Sequence, residues 1–168
     1  MEKEVLMRYL HFRTEDLPVS INKLYYSRGG RRMMTARGQR FKTHFVASRG
    51  GCSVENLMKF EGTKEDKYCL RLWFKMRPES LHAKGYGKDK RVKYLFKKVD
   101  VSNLVKLIED CVSELTGIDD RNNWVVICQK VEDENEGVDA LLEILDKEHE
   151  QTRGVDEVIR SIEIASGA

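Results

Sequence analysis

A chain of 168 residues, 40% of them hydrophobic and 35% charged, can bury one core without disulfides or a structural metal, so a single domain is expected. No apolar run approaches the roughly 20 residues of a membrane span. The first one, VLMRYLHF, is broken by Arg8 and His11 and has no small-residue cleavage site, so a cytoplasmic protein without signal peptide or anchor is expected.

In chain order, Val5 to Phe12 reads as a first strand, separated by RTED and Pro18 from the next segment. SINKLYYSRGGRRMM reads as a strand edge opening into a flexible turn at Gly29-Gly30. Thr35 can cap a helix from about Ala36 to Arg49, with Phe41, Phe45 and Val46 or Ala47 on its buried side and Gly50-Gly51 as its stop. NLMKFEGTKED has no clear pattern. KYCLRLWFKM alternates and is aromatic enough for a strand over Lys67 to Met76, stopped by Pro78. Glu79 to Lys98 reads as a long basic loop with a short extended piece at VKYLF, a loop length that often carries function. From Ser102 to about Thr116, Leu104, Leu107, Ile108, Cys111 and Leu115 repeat at helical spacing and Gly117 supplies the stop. NWVVICQKV is the strongest strand pattern. Gly137 to Glu150 is expected to be a helix with Val138, Leu141, Leu142 and Leu145 on one side, part of an acidic helical insertion around 133–152, and VDEVIRSIEIA a closing strand or helix, its β-branched content favouring the strand. The alternation of strands and helices predicts a mixed α/β domain, a mixed sheet flanked by helices.

The net charge of +2 conceals a segregation by sign. From Lys23 to Arg49 every charge is positive: Lys23, Arg28, Arg31, Arg32, Arg37, Arg40, Lys42 and Arg49. In a second basic run, Lys84, Lys88, Lys90, Arg91, Lys93, Lys97 and Lys98 meet only Asp89, whereas acids dominate from Glu132 onward. Such asymmetry suits one surface that meets a polyanion; a solvated surface of uneven charge is the plainer alternative. Cysteines at 52, 69, 111 and 128 form no C-x-x-C pair and the four His are scattered, which argues against a zinc site, a redox motif or a His-based triad. Cys69, Cys111 and Cys128 read as reduced core residues.

Around the 102–116 helix the acids gather. Asn103, Lys106 and Asp110 share a polar stripe opposite the leucine face. Asp100 or Ser102 can cap the helix start, Lys106 and Asp110 can be a simple i, i+4 pair, and Asp119-Asp120 can be a turn. Taken together, carboxylates from a helix start and from the front of the next strand can converge on a hard cation. Mg²⁺ takes one or two carboxylates, waters and substrate phosphate, and needs neither His nor Cys. Two such ions can clamp the attacking and leaving oxygens of a phosphodiester.

The run D-V-S-N-L-V-K from Asp100 to Lys106, followed by Asp110 and by GIDD at 117–120, resembles the RusA family of Holliday-junction resolvases of phages and prophages. The signature of that family is D-x-D-N-x-x-K, an Asp one turn later, and an Asp-Asp pair before a strand. PVSINKLYYSRGGRRMMTARGQRFK is similar to the family's opening, with Ser20, Asn22 and Tyr25 in pattern and Thr35 to Gly38 starting the helix. The resemblance covers roughly Val5 to Val131 in two blocks. It implies a homodimeric endonuclease, dependent on Mg²⁺ with Mn²⁺ as an alternative, that nicks two opposed strands of a four-way DNA junction. By position it makes Asp100 and Asp120 catalytic metal ligands, Asp119 a neighbour or second ligand, Lys106 the catalytic lysine, and Asn103 and Asp110 supports. Asn22 and Tyr25 join the basic residues as DNA contacts. Ser102 stands where the family has its second Asp; a hydroxyl can hold a metal or its water but brings no charge, so weaker metal binding is expected. A DNA-binding module that has lost catalysis through Ser102, and an interaction protein recruiting partners through its acidic end, are the competing expectations.

Overall fold

The computed structural model describes residues 7–81 and 100–145. Of the expected basic loop over Glu79 to Lys98, the first three residues are described and are helical; the rest of it, the start of the first strand and the expected closing strand lie outside the described residues, as do Lys84, Lys88, Lys90, Arg91, Lys93, Lys97 and Lys98.

Strand β1 (Tyr9–Thr14) buries Leu10 and Phe12 and turns Tyr9 and His11 outward, the period-2 pattern of a strand with one core face. Between Ser20 and Met34 the structure is more regular than expected. A short helix α1 (Ile21–Leu24) leads into a hairpin of β2 (Tyr25–Arg28) and β3 (Arg31–Met34). Gly29 and Gly30 make its two-residue turn with φ of 56° and 75°, the conformation a primed turn needs and side chains resist.

Helix α2 (Ala36–Ala47) starts as expected, Thr35 Oγ1 accepting from the Gly38 amide at 3.3 Å. It buries Phe41 and Phe45; Val46 is half-buried and Ala47 exposed. The helix stops short of Arg49, which opens a 3₁₀ turn at Arg49–Gly51. The stretch without a clear pattern forms α3 (Val54–Lys59), capped by the Ser53 hydroxyl on the Asn56 amide at 3.0 Å.

In β4 (Tyr68–Met76), Tyr68, Leu70, Leu72, Phe74 and Met76 form one buried row. Pro78 ends that strand by opening the one-turn helix α4 (Pro78–Leu81), a position where its missing N–H costs nothing. Helix α5 (Ser102–Thr116) has the expected bounds and buries Leu104, Leu107, Ile108 and Cys111 as expected, with Val112 added and Leu115 only half-buried, and Gly117 closes it in the left-handed conformation with its N–H on the Ser113 carbonyl at 2.8 Å. Strand β5 (Asn123–Glu132) comes next.

The expected helix from Gly137 is instead a strand, β6 (Gly137–Ile144). Its buried residues Val138, Ala140 and Leu142 alternate, and it is paired on both sides, antiparallel to β1 and to β4. Sheet pairing at the centre of the domain outweighs a helical spacing of leucines. No helix therefore forms over 137–144, residues 133–136 form a bend between β5 and β6 rather than a helix, and only 146–152 of the expected insertion lie outside the described residues.

The sheet order is β1-β6-β4-β5, with only β4 and β5 parallel. Helices α1, α2 and α5 pack together over its buried rows, and Phe12, Phe41 and Phe45 interlock there with ring centroids about 6 Å apart. The fold is thus a mixed α+β domain with a mixed sheet flanked by helices. Strand β5 lies at an edge and leaves Trp124 65%, Val125 40%, Val126 39% and Ile127 43% exposed. All four cysteines are free; Cys52, Cys69 and Cys111 are buried and Cys128 half-buried. Among the described residues no helix is long and apolar enough to cross a membrane.

Gly38 sets how the hairpin meets this core, since a Cβ there would stand 2.4 Å from Leu24 Cδ1 and 3.1 Å from Met34 Cγ. Gly38→Ala gains about 0.5–1 kcal/mol of helix propensity but overpacks a filled site at about 1–3 kcal/mol. A net loss of about 1–2 kcal/mol in urea unfolding is expected; a stabilised variant would contradict this packing.

Candidate active site

The polar stripe of α5 meets the turn that leads into β5. Lys106, one turn into the helix, extends to Asp110 Oδ1 at 2.9 Å and also donates a short hydrogen bond to Asp120 Oδ2, which is 14 residues away in sequence. Asp120 stands in a 3₁₀ turn (Asp120–Asn122) capped by Asp119, whose Oδ1 accepts from the Arg121 amide at 3.1 Å and lies 3.6 Å from the Arg121 guanidinium. Burial would lower the Lys106 pKa, but hydrogen bonds to Asp120 and Asp110, and their charges, hold it well above that of an ordinary lysine. The same contact holds the Asp120 carboxyl below the usual carboxylate range. Lys106 is therefore protonated and Asp120 ionised at neutral pH.

These residues line an open cavity of about 500 Å³ with Lys42, Ser113, Glu114, Gly117 and Ile118. Two lining residues, Lys42 and Glu114, and the neighbouring Glu109 are not among the expected site residues. Lys42, from α2, pairs with Glu114 at 2.7 Å, and that hydrogen bond is the main reason its pKa is raised. Glu109 accepts from Asn123 Nδ2 at 3.2 Å, and burial raises its pKa. Glu109 and Glu114 lie on the same helix as Lys106 and Asp110, so helical spacing could have flagged them; the approach of Lys42 depends on how α2 packs against α5.

Asp100, Ser102 and Asn103 form a separate group at the helix start. Asp100 Oδ1 accepts from the Ser102 amide at 3.1 Å and its hydroxyl at 2.5 Å, and Oδ2 accepts from Asn103 Nδ2 at 2.9 Å. Neither expected cap holds the N-cap position, which is Val101; Asp100, just before it, accepts the Ser102 amide, while Ser102 donates. The Ser102 hydroxyl chiefly lowers the Asp100 pKa, with a smaller contribution from the charge of Lys130. Asp100 and Asp120 share no hydrogen-bond or ion-pair partner among these contacts. Lys106 is paired with Asp110 and Asp120, and Asp119 lines the same cavity, while Asp100, Ser102 and Asn103 are joined by hydrogen bonds of their own.

Among the described residues, no three carboxylate, imidazole or thiol groups stand close enough to make a ready-formed metal site. The donor set suits Mg²⁺ nonetheless, because that ion takes only one or two protein carboxylates and fills its remaining positions with water and phosphate.

The other expected contact residues within the described range lie on α1, the hairpin and α2. Asn22 and Lys23 are exposed on α1, Arg28 on β2, Arg31 and Arg32 on β3, and Arg37 and Arg40 on α2. Tyr25 is half-buried, with the Arg32 guanidinium 4.0 Å from its ring centroid. The chain matches no protein-family model, and no curated protein matches it.

Removing the shared cation tests the cluster. Lys106→Met leaves Asp110 and Asp120 without their common partner, yet the pair is partly exposed, with Lys106 at 38% and Asp120 at 33%. Screening therefore limits the expected loss to about 1 kcal/mol by urea unfolding, part of it recovered in Lys106→Met with Asp120→Asn. A loss as large as the ~3–5 kcal/mol of a broken buried pair would mean that the cluster is a structural element rather than an accessible site.

Proposed function

We propose that this protein is a divalent-metal-dependent endonuclease that cuts branched DNA, a resolvase of the RusA type acting as a homodimer in the cytoplasm of a bacterium or phage-infected cell. The observation that carries the reading is the meeting of Lys106 with Asp120 across 14 residues of sequence, in a cavity that also holds Asp110 and Asp119. These are residues of the D-x-x-N-x-x-K, Asp and Asp-Asp pattern, and a helix with a separate turn must fold together for them to meet.

Asp119 and Asp120 would hold Mg²⁺ or Mn²⁺, with Asp110 beside them and Asp100 contributing from the helix start. When bound, the ion supplies polarisation of the scissile phosphate and a nucleophilic water at neutral pH. Lys106 carries a fixed positive charge where negative charge develops during phosphodiester cleavage, and Asp110 orients its ammonium group. The exposed arginines of β2, β3 and α2 hold the DNA backbone, which positions the strand without reading its sequence. A two-fold dimer suits opposed nicks in a two-fold junction, and the exposed apolar run from Trp124 to Ile127 on edge strand β5 offers it a contact surface.

One observation favours a second reading, in which the protein binds junctions but cuts poorly. The Ser102 hydroxyl already donates to Asp100, so that position adds no anionic ligand.

A labelled four-way junction with Mg²⁺ or Mn²⁺ separates the two. Paired nicks near the crossover are expected, falling at least roughly 100-fold in Asp120→Asn and Lys106→Met while junction binding persists. A shifted but uncut junction would leave only the binder, and wild-type rates in Asp120→Asn would remove the site.

Ser102→Asp would set a second carboxylate against Asp100. In chelator its Tm should drop by about 2–4 °C, and Mn²⁺ should raise it more than it raises the wild type. An unchanged response to Mn²⁺ would detach Asp100 and Ser102 from metal binding.

A further inference from the structure

The two faces of the β2–β3 hairpin are chemically different. Register pairs Tyr25 with Met34, Tyr26 with Met33, Ser27 with Arg32 and Arg28 with Arg31. Directly paired residues share a face and faces alternate along a strand, so one face carries Tyr25, Ser27, Arg32 and Met34, and the other Tyr26, Arg28, Arg31 and Met33. On the first, Tyr25 and Met34 pack against the core and Arg32 covers the Tyr25 ring. On the second, Tyr26 is 44% and Met33 42% exposed, side by side and flanked toward the tip by two exposed arginines.

An exposed phenol and thioether would ordinarily suggest a protein contact. The charge around them favours a nucleic acid, because every charged residue from Lys23 to Arg49 is basic. Arg28 and Arg31 also make no ion pair within the described residues. A π-faced base fits against a flat aromatic ring beside a polarisable sulfur, while guanidinium groups at its border meet the adjoining phosphates. The hairpin is anchored to present this face, with the Thr35 amide on the Leu24 carbonyl at 2.8 Å and its first residue pair set into the core.

We propose that the Tyr26–Met33 face of the hairpin is a stacking wedge for an unpaired DNA base, with Arg28 and Arg31 holding the phosphates on either side. The wedge deepens the reading of the protein as a branched-DNA nuclease and rests on DNA being its ligand. It supplies that activity with structural selectivity: in continuous duplex the base faces are already stacked, whereas an unpaired strand or an open crossover leaves a face free. Phosphate contacts alone draw the protein to any DNA, and stacking adds affinity only where a base is available.

Binding measured in chelator, without cleavage, tests the wedge independently of the nuclease. Fluorescence anisotropy would compare a single strand, a four-way junction and a continuous duplex, with 2-aminopurine placed at the crossover. Tyr26→Ala should weaken single-strand and junction binding roughly 5- to 150-fold, leave duplex affinity and the salt slope unchanged, and abolish the 2-aminopurine quench. Tyr26→Trp should restore both affinity and quench. Arg28→Ala with Arg31→Ala should instead weaken all three ligands and reduce the salt slope by about 2. Unchanged single-strand and junction affinity in Tyr26→Ala, or an equal loss on duplex, would overturn the wedge and leave this face to protein contact or simple exposure. A protein that stacks a base but never cuts would keep the wedge and defeat the nuclease reading; one that cuts normally with unaltered Tyr26→Ala binding would do the reverse.

Discussion

Lys106 joins two parts of the chain that packing has already brought together. Its ammonium stands between Asp110 on its own helix and Asp120 in the turn before β5. A partly exposed network of this kind contributes about 1 kcal/mol. Burial of Leu104, Leu107 and Ile108 on the opposite face of α5 contributes about 1.5–3 kcal/mol for each side chain, and all three are at most 8% exposed. The apolar face therefore fixes where α5 lies, and the ionic groups take the positions that it leaves them. A change of partners among them is therefore expected to cost the domain little stability.

Charge is partitioned on a larger scale in the same way. The cavity holds Asp110, Glu114, Asp119 and Asp120 against Lys42 and Lys106, whereas the hairpin and the start of α2 carry arginines alone. A DNA strand entering the cavity would meet carboxylates, whose repulsion opposes its approach until cations offset it. On the proposed reading, metal binding and strand placement are thus coupled through simple electrostatics, and the ammonium of Lys106 supplies part of that compensation beforehand.

Local patterns in the sequence revealed much of this. Helix α5 was legible to the residue because its apolar face, its polar stripe and the glycine that closes it agree. Strand β4 was legible because its residues alternate from Leu70 to Met76 and are rich in aromatic side chains. β6 was not: Val138, Leu141, Leu142 and Leu145 fit a helical period, and only pairing with β1 and β4, both distant in sequence, makes it a strand. The hairpin was half-legible, since its glycines mark a turn but its register, and so the separation of Tyr26 from Tyr25, depends on cross-strand pairing. At the site, Lys106, Asp110 and Asp120 could be grouped from their spacing and their resemblance to a known pattern. The arrival of Lys42 required α2 to pack against α5, and the preference of Asp100 for Ser102 and Asn103 required the geometry of the helix start.

On the proposed reading, the carboxylates gathered by Lys106 hold a divalent ion. Anomalous scattering from crystals grown with Mn²⁺ measures this directly. A peak is expected at coordination distance from the Asp120 carboxylate, with the Lys106 ammonium displaced from it. Crystals saturated with Mn²⁺ that give no peak there, and keep the Lys106–Asp120 contact intact, would contradict that reading.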